Sequence, residues 1–154
     1  MKFGVNLWVW SSPVTTDELE RLAPVVKRMG FDWIEVPLEG IGDLDTARGA
    51  EILRDQGLDV STCPAMGPDR DLIHPDAAIR ANGMSYVRQC IDATAALGGT
   101  NLVGPIYSAV GRTWQATADE RKRDVDLLVK GLSELATYAS DKGVVMGLEP
   151  LNRF

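Results

Sequence analysis

Four times along the chain a glycine and a proline stand seven positions apart, with a short and mostly apolar run between them. The segments are "GFDWIEVP" (Gly30 to Pro37), "GLDVSTCP" (Gly57 to Pro64), "GGTNLVGP" (Gly98 to Pro105) and "GVVMGLEP" (Gly143 to Pro150). A helical pattern precedes each glycine, which suits the left-handed position that closes a helix. The runs are rich in Val, Ile, Leu and Trp, as expected of strands buried on both faces. Proline cannot donate to a ladder, so each marks the place where strand pairing ends.

The intervening segments carry clear helix signals. "TTDELERLAPVVKRMG" offers Thr15 as N-cap with Glu18 three residues on, a capping box. Leu19, Leu22, Val26 and Met29 then make one stripe, which Pro24 is expected to bend. "DTARGAEILRDQG" predicts a short second helix. A third runs through "HPDAAIRANGMSYVRQCIDATAALGG", with Ile79, Val87, Cys90, Ile91 and Leu97 inward and Gly83 as its weak point. "TADERKRDVDLLVKGLSELATYASDKG" pairs Thr117 with Glu120 and repeats Val125, Leu128, Leu132, Leu135 and Ala139.

With "KFGVNLWVW" as the first strand, strands and helices alternate from end to end, the pattern of a parallel sheet with helical crossovers. The 154 residues suffice for a single domain, 1–154. Two α/β architectures fit. One is an open doubly wound sheet of five strands. The other is the N-terminal part of a (β/α)8 TIM barrel, about four and a half βα units of a fold that typically needs ~250 residues. No glycine-rich phosphate loop follows the first strand, where "WSSPVTTDE" stands instead, and this weakens a nucleotide-binding version of the open sheet.

The net charge of −6 argues against nucleic acid or an anionic membrane as partner. No run approaches the ~20 apolar residues of a membrane span. "MKFGVNLWVW" has neither a basic leader region nor a small-residue cleavage site. Cys63 and Cys90 lie inside regular elements rather than at disulfide spacing. These features predict a cytoplasmic protein with reduced thiols and a small-molecule ligand.

In either architecture function gathers at the carboxyl ends of strands. Glu149, after "VVMGL", is the sharpest candidate, because a carboxylate beside an apolar layer needs a cation partner. It reads either as a metal ligand or general base, or as a structural ion pair with Arg153. Glu35 holds the matching place in the first of the four segments and reads as structural. Cys63 has no nearby histidine to activate it, so it reads as a small pocket wall. His74, the only histidine, precedes a helix and suits a loop or capping role. Trp8 and Trp10 read as core, although one aromatic at a strand's carboxyl end can stack on a sugar ring.

The last segment adds a resemblance. "GLEPLNRF" resembles the LE-x-x-NR-[FY]-E segment of the D-tagatose/D-psicose (allulose) 3-epimerase family, within the xylose-isomerase-like TIM-barrel superfamily. "GVNLWVW", "GFDWIEVPL", "HPDAAIR" with "NGMSYV", and "IYSA" are supporting matches. The resemblance implies a ketose 3-epimerase. In that family Mn2+, or Mg2+ or Co2+, chelates O2 and O3 of the ketose and stabilises the cis-enediolate formed when C3 loses its proton. It assigns Glu149 as one of two proton-transferring glutamates and as a metal ligand. It places Asn6, Cys63 and Ile106 in the substrate pocket, Trp8 and Tyr107 near its rim, and Arg153 in ordering the last loop. Two positions depart from the family pattern. Pro150 replaces a usual β-branched residue, and the Glu expected after "NRF" falls beyond Phe154.

The resemblance therefore implies the front half of a barrel, inactive alone and without tight metal binding. The other ligands (an Asp, a His and a second Glu) would lie in the remaining half. Open barrel edges at the first and fifth strands predict self-association as a homo-oligomer. The rivals are another sugar or sugar-phosphate isomerase of the superfamily, an inosose dehydratase, an endonuclease-IV-like phosphodiesterase, and a non-catalytic five-stranded α/β binding module.

Overall fold

The computed structural model describes residues 1–112 and 115–151. Nine regular elements alternate in the predicted way: β1 (Gly4–Asn6), α1 (Thr16–Arg28), β2 (Trp33–Leu38), α2 (Thr46–Gln56), β3 (Asp59–Pro64), α3 (Ala77–Ala96), β4 (Asn101–Gly104), α4 (Ala118–Asp141) and β5 (Val145–Leu148). Short 3-10 turns follow β1 (Leu7–Val9) and β3 (Pro68–Arg70). The strands form one sheet in the order β1-β2-β3-β4-β5, and every neighbouring pair is parallel. A doubly wound sheet reverses its strand order near the middle; this sheet does not. It has the sequential order of a (β/α)8 barrel and corresponds to that fold's N-terminal part.

The Gly–Pro frame has a direct structural basis. Gly30, Gly57, Gly98 and Gly143 all have positive φ, so each lets the chain leave a helix and enter a strand. Pro64 is the last residue of β3 and Pro105 directly follows β4, while Pro37 sits one residue inside the end of β2. The core lies between the sheet and its helices. Ile34, Val36 and Leu102 from the strands meet Leu19, Leu22, Val26, Val87, Ile91 and Leu135 from the helices there. Full burial of one such side chain contributes roughly 1.5–3 kcal/mol.

Several expectations are corrected. Burial on both faces holds for β3, where Val60 to Pro64 are all buried, but not for the others. β2 alternates half-buried Trp33 and Glu35 with fully buried Ile34 and Val36, β4 alternates likewise, and β5 is open along its length. The open face is the side on which a barrel interior would lie. The first strand is three residues long, because the Asn6 side chain accepts from the Trp8 backbone N–H at 2.8 Å and caps a 3-10 turn. Helix α1 runs through Pro24 without a break. Thr15 caps it, but the Glu18 carboxylate pairs with Arg21 at 2.6 Å; both halves of a capping box occur at Thr117 and Glu120.

Met29 is 57% exposed at the end of α1, and Val125 is 53% exposed on α4. The first half of α4 lies past the buried layer, which reaches only Leu135 and Ala139 of this helix. Gly83 is a contact point rather than a weakness. A Cβ there would stand 2.7 Å from the Arg70 carbonyl oxygen, so its absence lets α3 pack against the 68–70 turn. At the sheet's far edge Val145 and Leu148 are 65% and 49% exposed.

Candidate functional site

The carboxyl ends of the strands open onto a cleft of about 700 Å3. Each strand contributes through its register. Asn6 of β1 pairs with Glu35 of β2, which pairs in turn with Ser61 of β3. Their side chains therefore share one level of the open face. Asn6 Nδ2 donates to Glu35 Oε1 at 2.7 Å, and Ser61 Oγ donates to Glu35 Oε2 at 3.4 Å. Trp33 Nε1 donates to Ser61 Oγ at 2.9 Å. The structural role read for Glu35 is thus present, and its carboxylate also lines the cleft.

Glu149 reaches the same cleft from the other side. Its backbone N–H donates to the Gly104 carbonyl at 3.0 Å, which extends the β4–β5 ladder beyond Leu148. Its carboxylate is exposed at the open edge rather than enclosed by an apolar layer. Arg153 and Asn152 lie outside the described residues, and so does the ion pair considered for Glu149.

Trp8 and Cys63 line the cleft together with Asn6, Glu35 and Glu149. Ile106 does not: it is fully buried in the core, and its N–H donates to the Gly104 carbonyl. Tyr107 is half-buried beside the cleft, and its hydroxyl accepts from the Leu151 N–H at 3.3 Å. Trp10 is partly exposed away from it. His74 caps locally, its Nδ1 accepting from the Asp76 N–H at 3.0 Å.

The loop after β3 supplies residues that the sequence reading passed over, above all Met66 and Arg70. Their signal was position: they follow a strand's carboxyl end, although "AMGPDR" carries no motif. This loop is well fastened. The Val110 N–H donates to the Met66 carbonyl at 3.0 Å. The mostly buried Arg112 pairs with Asp71 at 3.3 Å and with Asp124 at 2.7 Å, tying the loops after β3 and β4 to α4.

Electrostatics separate the thiol from the carboxylates. Burial pushes the Cys63 thiol up to about 12, and the charges of Glu35 and Glu149 add to the effect. Cys90, in the core, is raised to about 12 chiefly by burial. Cys63 is therefore a neutral wall and no nucleophile. Among the described residues no group of three or more His, Cys, Asp or Glu side chains is arranged to hold a metal ion. Among them, too, no helix is long and apolar enough to cross a membrane.

Residues 24–154 match the family model for the xylose isomerase-like TIM barrel. The L-ribulose 3-epimerase of Methylomonas sp. (strain DH-1) is 29% identical over 154 residues, covering 100% of this chain and 53% of the relative. The L-ribulose 3-epimerase of Mesorhizobium japonicum is 30% identical, with 99% and 50% covered. The crystal structure of a D-allulose 3-epimerase from Methylomonas sp. in complex with D-allulose superposes with a TM-score of 0.89 at 30% identity, over 100% of this chain and 52% of that one. The chain spans about half the length of the curated relatives it matches.

The raised thiols set a pH dependence. An unfolded chain loses these protons near the ordinary value of 9.0, whereas the folded chain keeps them to about 12. Their stabilising contribution is complete below about pH 9 and is lost as pH rises toward 12, at most about 1.4 kcal/mol per pH unit per thiol. Urea unfolding at pH ~8 and ~10.5 should show a falling midpoint, with a smaller fall in Cys63→Ala. Equal falls in the two proteins would contradict the shift assigned to Cys63.

Proposed function

The chain belongs to the xylose isomerase-like TIM barrel family, and from that membership we propose that it carries the first five strands of a ketose 3-epimerase. The observation that carries this reading is the meeting of Glu149, from the end of β5, with Asn6, Trp8 and Cys63 in one cleft. Relatives named for L-ribulose and D-allulose 3-epimerisation support the substrate class.

In this reading a ketose lies along the open face of the sheet. Glu149 takes the proton from C3, and the electron pair of the broken C–H bond moves toward the C2 carbonyl to give a cis-enediolate. Return of a proton to the opposite face of C3 inverts that carbon. The second carboxylic acid of that exchange would come from outside residues 1–154. Asn6 and the Asn6–Glu35–Ser61 row present hydrogen-bonding groups to the sugar hydroxyls, and Cys63 is a small neutral wall. Trp8 offers an aromatic face to the apolar side of the sugar.

Mn2+, with Mg2+ or Co2+ as alternatives, belongs to this proposal as cofactor of the complete enzyme. The described residues do not fit it by themselves, since Glu149 is one carboxylate and a tight divalent site needs several ligands. Titration calorimetry of the 154-residue chain with Mn2+ should therefore show no site of micromolar affinity. A stoichiometric tight site would overturn this part of the proposal.

The uncovered edges suggest a homo-oligomer for the chain alone. Val145 and Leu148 on β5, and Val125 and Val129 on α4, are all about half or more exposed. Open apolar strand edges pair with other chains. Sedimentation at low micromolar concentration should show self-association, and a stable monomer that binds no hydrophobic dye would sink this idea.

The decisive test concerns Glu149. In an active polypeptide that joins this chain to the remaining barrel strands, Glu149→Gln keeps the shape and removes the base. Epimerisation of D-allulose or L-ribulose should fall by roughly 10²–10⁴-fold. Near-normal turnover would refute the role given to Glu149.

A further inference from the structure

Trp8 is 41% exposed, yet both of its N–H groups are held. Its backbone N–H donates to Asn6 Oδ1 at 2.8 Å, and its indole Nε1 donates to Glu39 Oε1 at 2.8 Å. Ser12 Oγ lies 2.8 and 2.9 Å from the two oxygens of the same carboxylate. Glu39 itself is fastened from the other side. Its backbone carbonyl accepts from an Arg70 terminal nitrogen at 3.1 Å, while Arg70 Nε donates to the Ala65 carbonyl at 2.8 Å. The guanidinium stacks on the Tyr86 ring, 4.3 Å from its centre. The Tyr86 hydroxyl donates to the Leu38 carbonyl and accepts from the Ala65 N–H. Arg70 and Tyr86 thus staple the end of β2 to the end of β3, and Glu39 carries that rigid point across to the loop after β1.

We propose that Glu39 is the positioning residue that holds the Trp8 indole as a fixed wall of the cleft, with Arg70 and Tyr86 as the support behind it. An exposed indole without an anchor would bond water and sample rotamers. Held at its backbone and at its ring nitrogen, it keeps one orientation. A carboxylate suits the task, because it accepts from the indole and from Ser12 at once and because charged acceptors make the stronger hydrogen bonds. Glu39 does not touch the cleft, so its effect passes through Trp8. The consequence for sugar recognition rests on the ketose reading above: a fixed aromatic face favours sugars that present an apolar C–H surface to it.

The test is NMR of the 15N-labelled 154-residue chain, reading the indole N–H signals with Trp8 assigned by Trp8→Phe. The Trp8 signal should be downfield and slow to exchange in the parent and in Glu39→Gln, which keeps an acceptor. In Glu39→Ala it should move upfield and exchange at least about tenfold faster. Trp33, whose indole donates to Ser61, should keep its signal throughout and so report an intact fold. Should Glu39→Ala displace Trp33 as well, Glu39→Met, which keeps the bulk and removes both acceptors, is read in the same way. An unchanged Trp8 signal with Trp33 in place overturns the proposal. Added D-allulose separates the two readings. A sugar-induced Trp8 shift in the parent, weakened in Glu39→Ala, supports both. A Glu39-dependent Trp8 signal that ignores the sugar supports the positioning role and overturns the sugar-facing role of Trp8 in this chain, while the ketose reading itself stands or falls with Glu149→Gln in the joined polypeptide.

Discussion

The in-register pairing of β2 with β3, from Trp33 opposite Asp59 to Leu38 opposite Pro64, is the contact on which the rest of the molecule depends. Strand side chains alternate faces, so a slip of one residue would exchange the two faces of β2. Ile34 and Val36 would leave the helical layer, and Glu35 would enter it. Register is therefore enforced by burial on one side, and the site on the other side inherits it. Glu35 meets Ser61 because Ile34 and Val36 must meet the helices. The same pairing brings Leu38 and Ala65 close enough for one tyrosine hydroxyl to bond both backbones.

Strand positions were legible in the sequence because glycine and proline act through backbone geometry that any context must respect. The four glycines with positive φ close their helices wherever the sheet lies. Hydrophobic stripes were less faithful. Met29 and Val125 have the right spacing for a buried face but stand beyond the ends of the packed layer. Spacing reports which side of a helix is apolar and says nothing of how far along the helix a partner extends. Gly83 shows the converse error. Helix propensity marks it as weak, whereas what it supplies is room for the Arg70 backbone.

The site was legible to the same degree. Cys63 and Glu149, at strand ends, follow from the alternation, and Asn6 follows from the family resemblance; all three do line the cleft. Ile106 also follows a strand, but its side chain turns into the core, a choice made by local backbone direction that no spacing rule contains. Arg70 and Glu39 were missed for a related reason. Each acts through a partner brought close only by the fold: Tyr86 lies on α3, and Trp8 lies in the loop after β1.

The charge pattern of the cleft follows from how unevenly it is solvated. Cys63 sits deep enough that losing its proton would place a third negative charge, poorly hydrated, near Glu35 and Glu149; the proton therefore stays. Glu35 can remain an acceptor because Asn6 and Ser61 donate to it. Glu149, at the open edge, has no such partners among the bonds of the described residues and keeps access to water. One carboxylate is thus committed to holding the strands' side chains in place, and the other is left available. Under the ketose reading proposed above, a neutral polyol brings hydroxyl donors and no charge of its own, so it can meet both carboxylates without adding to the repulsion.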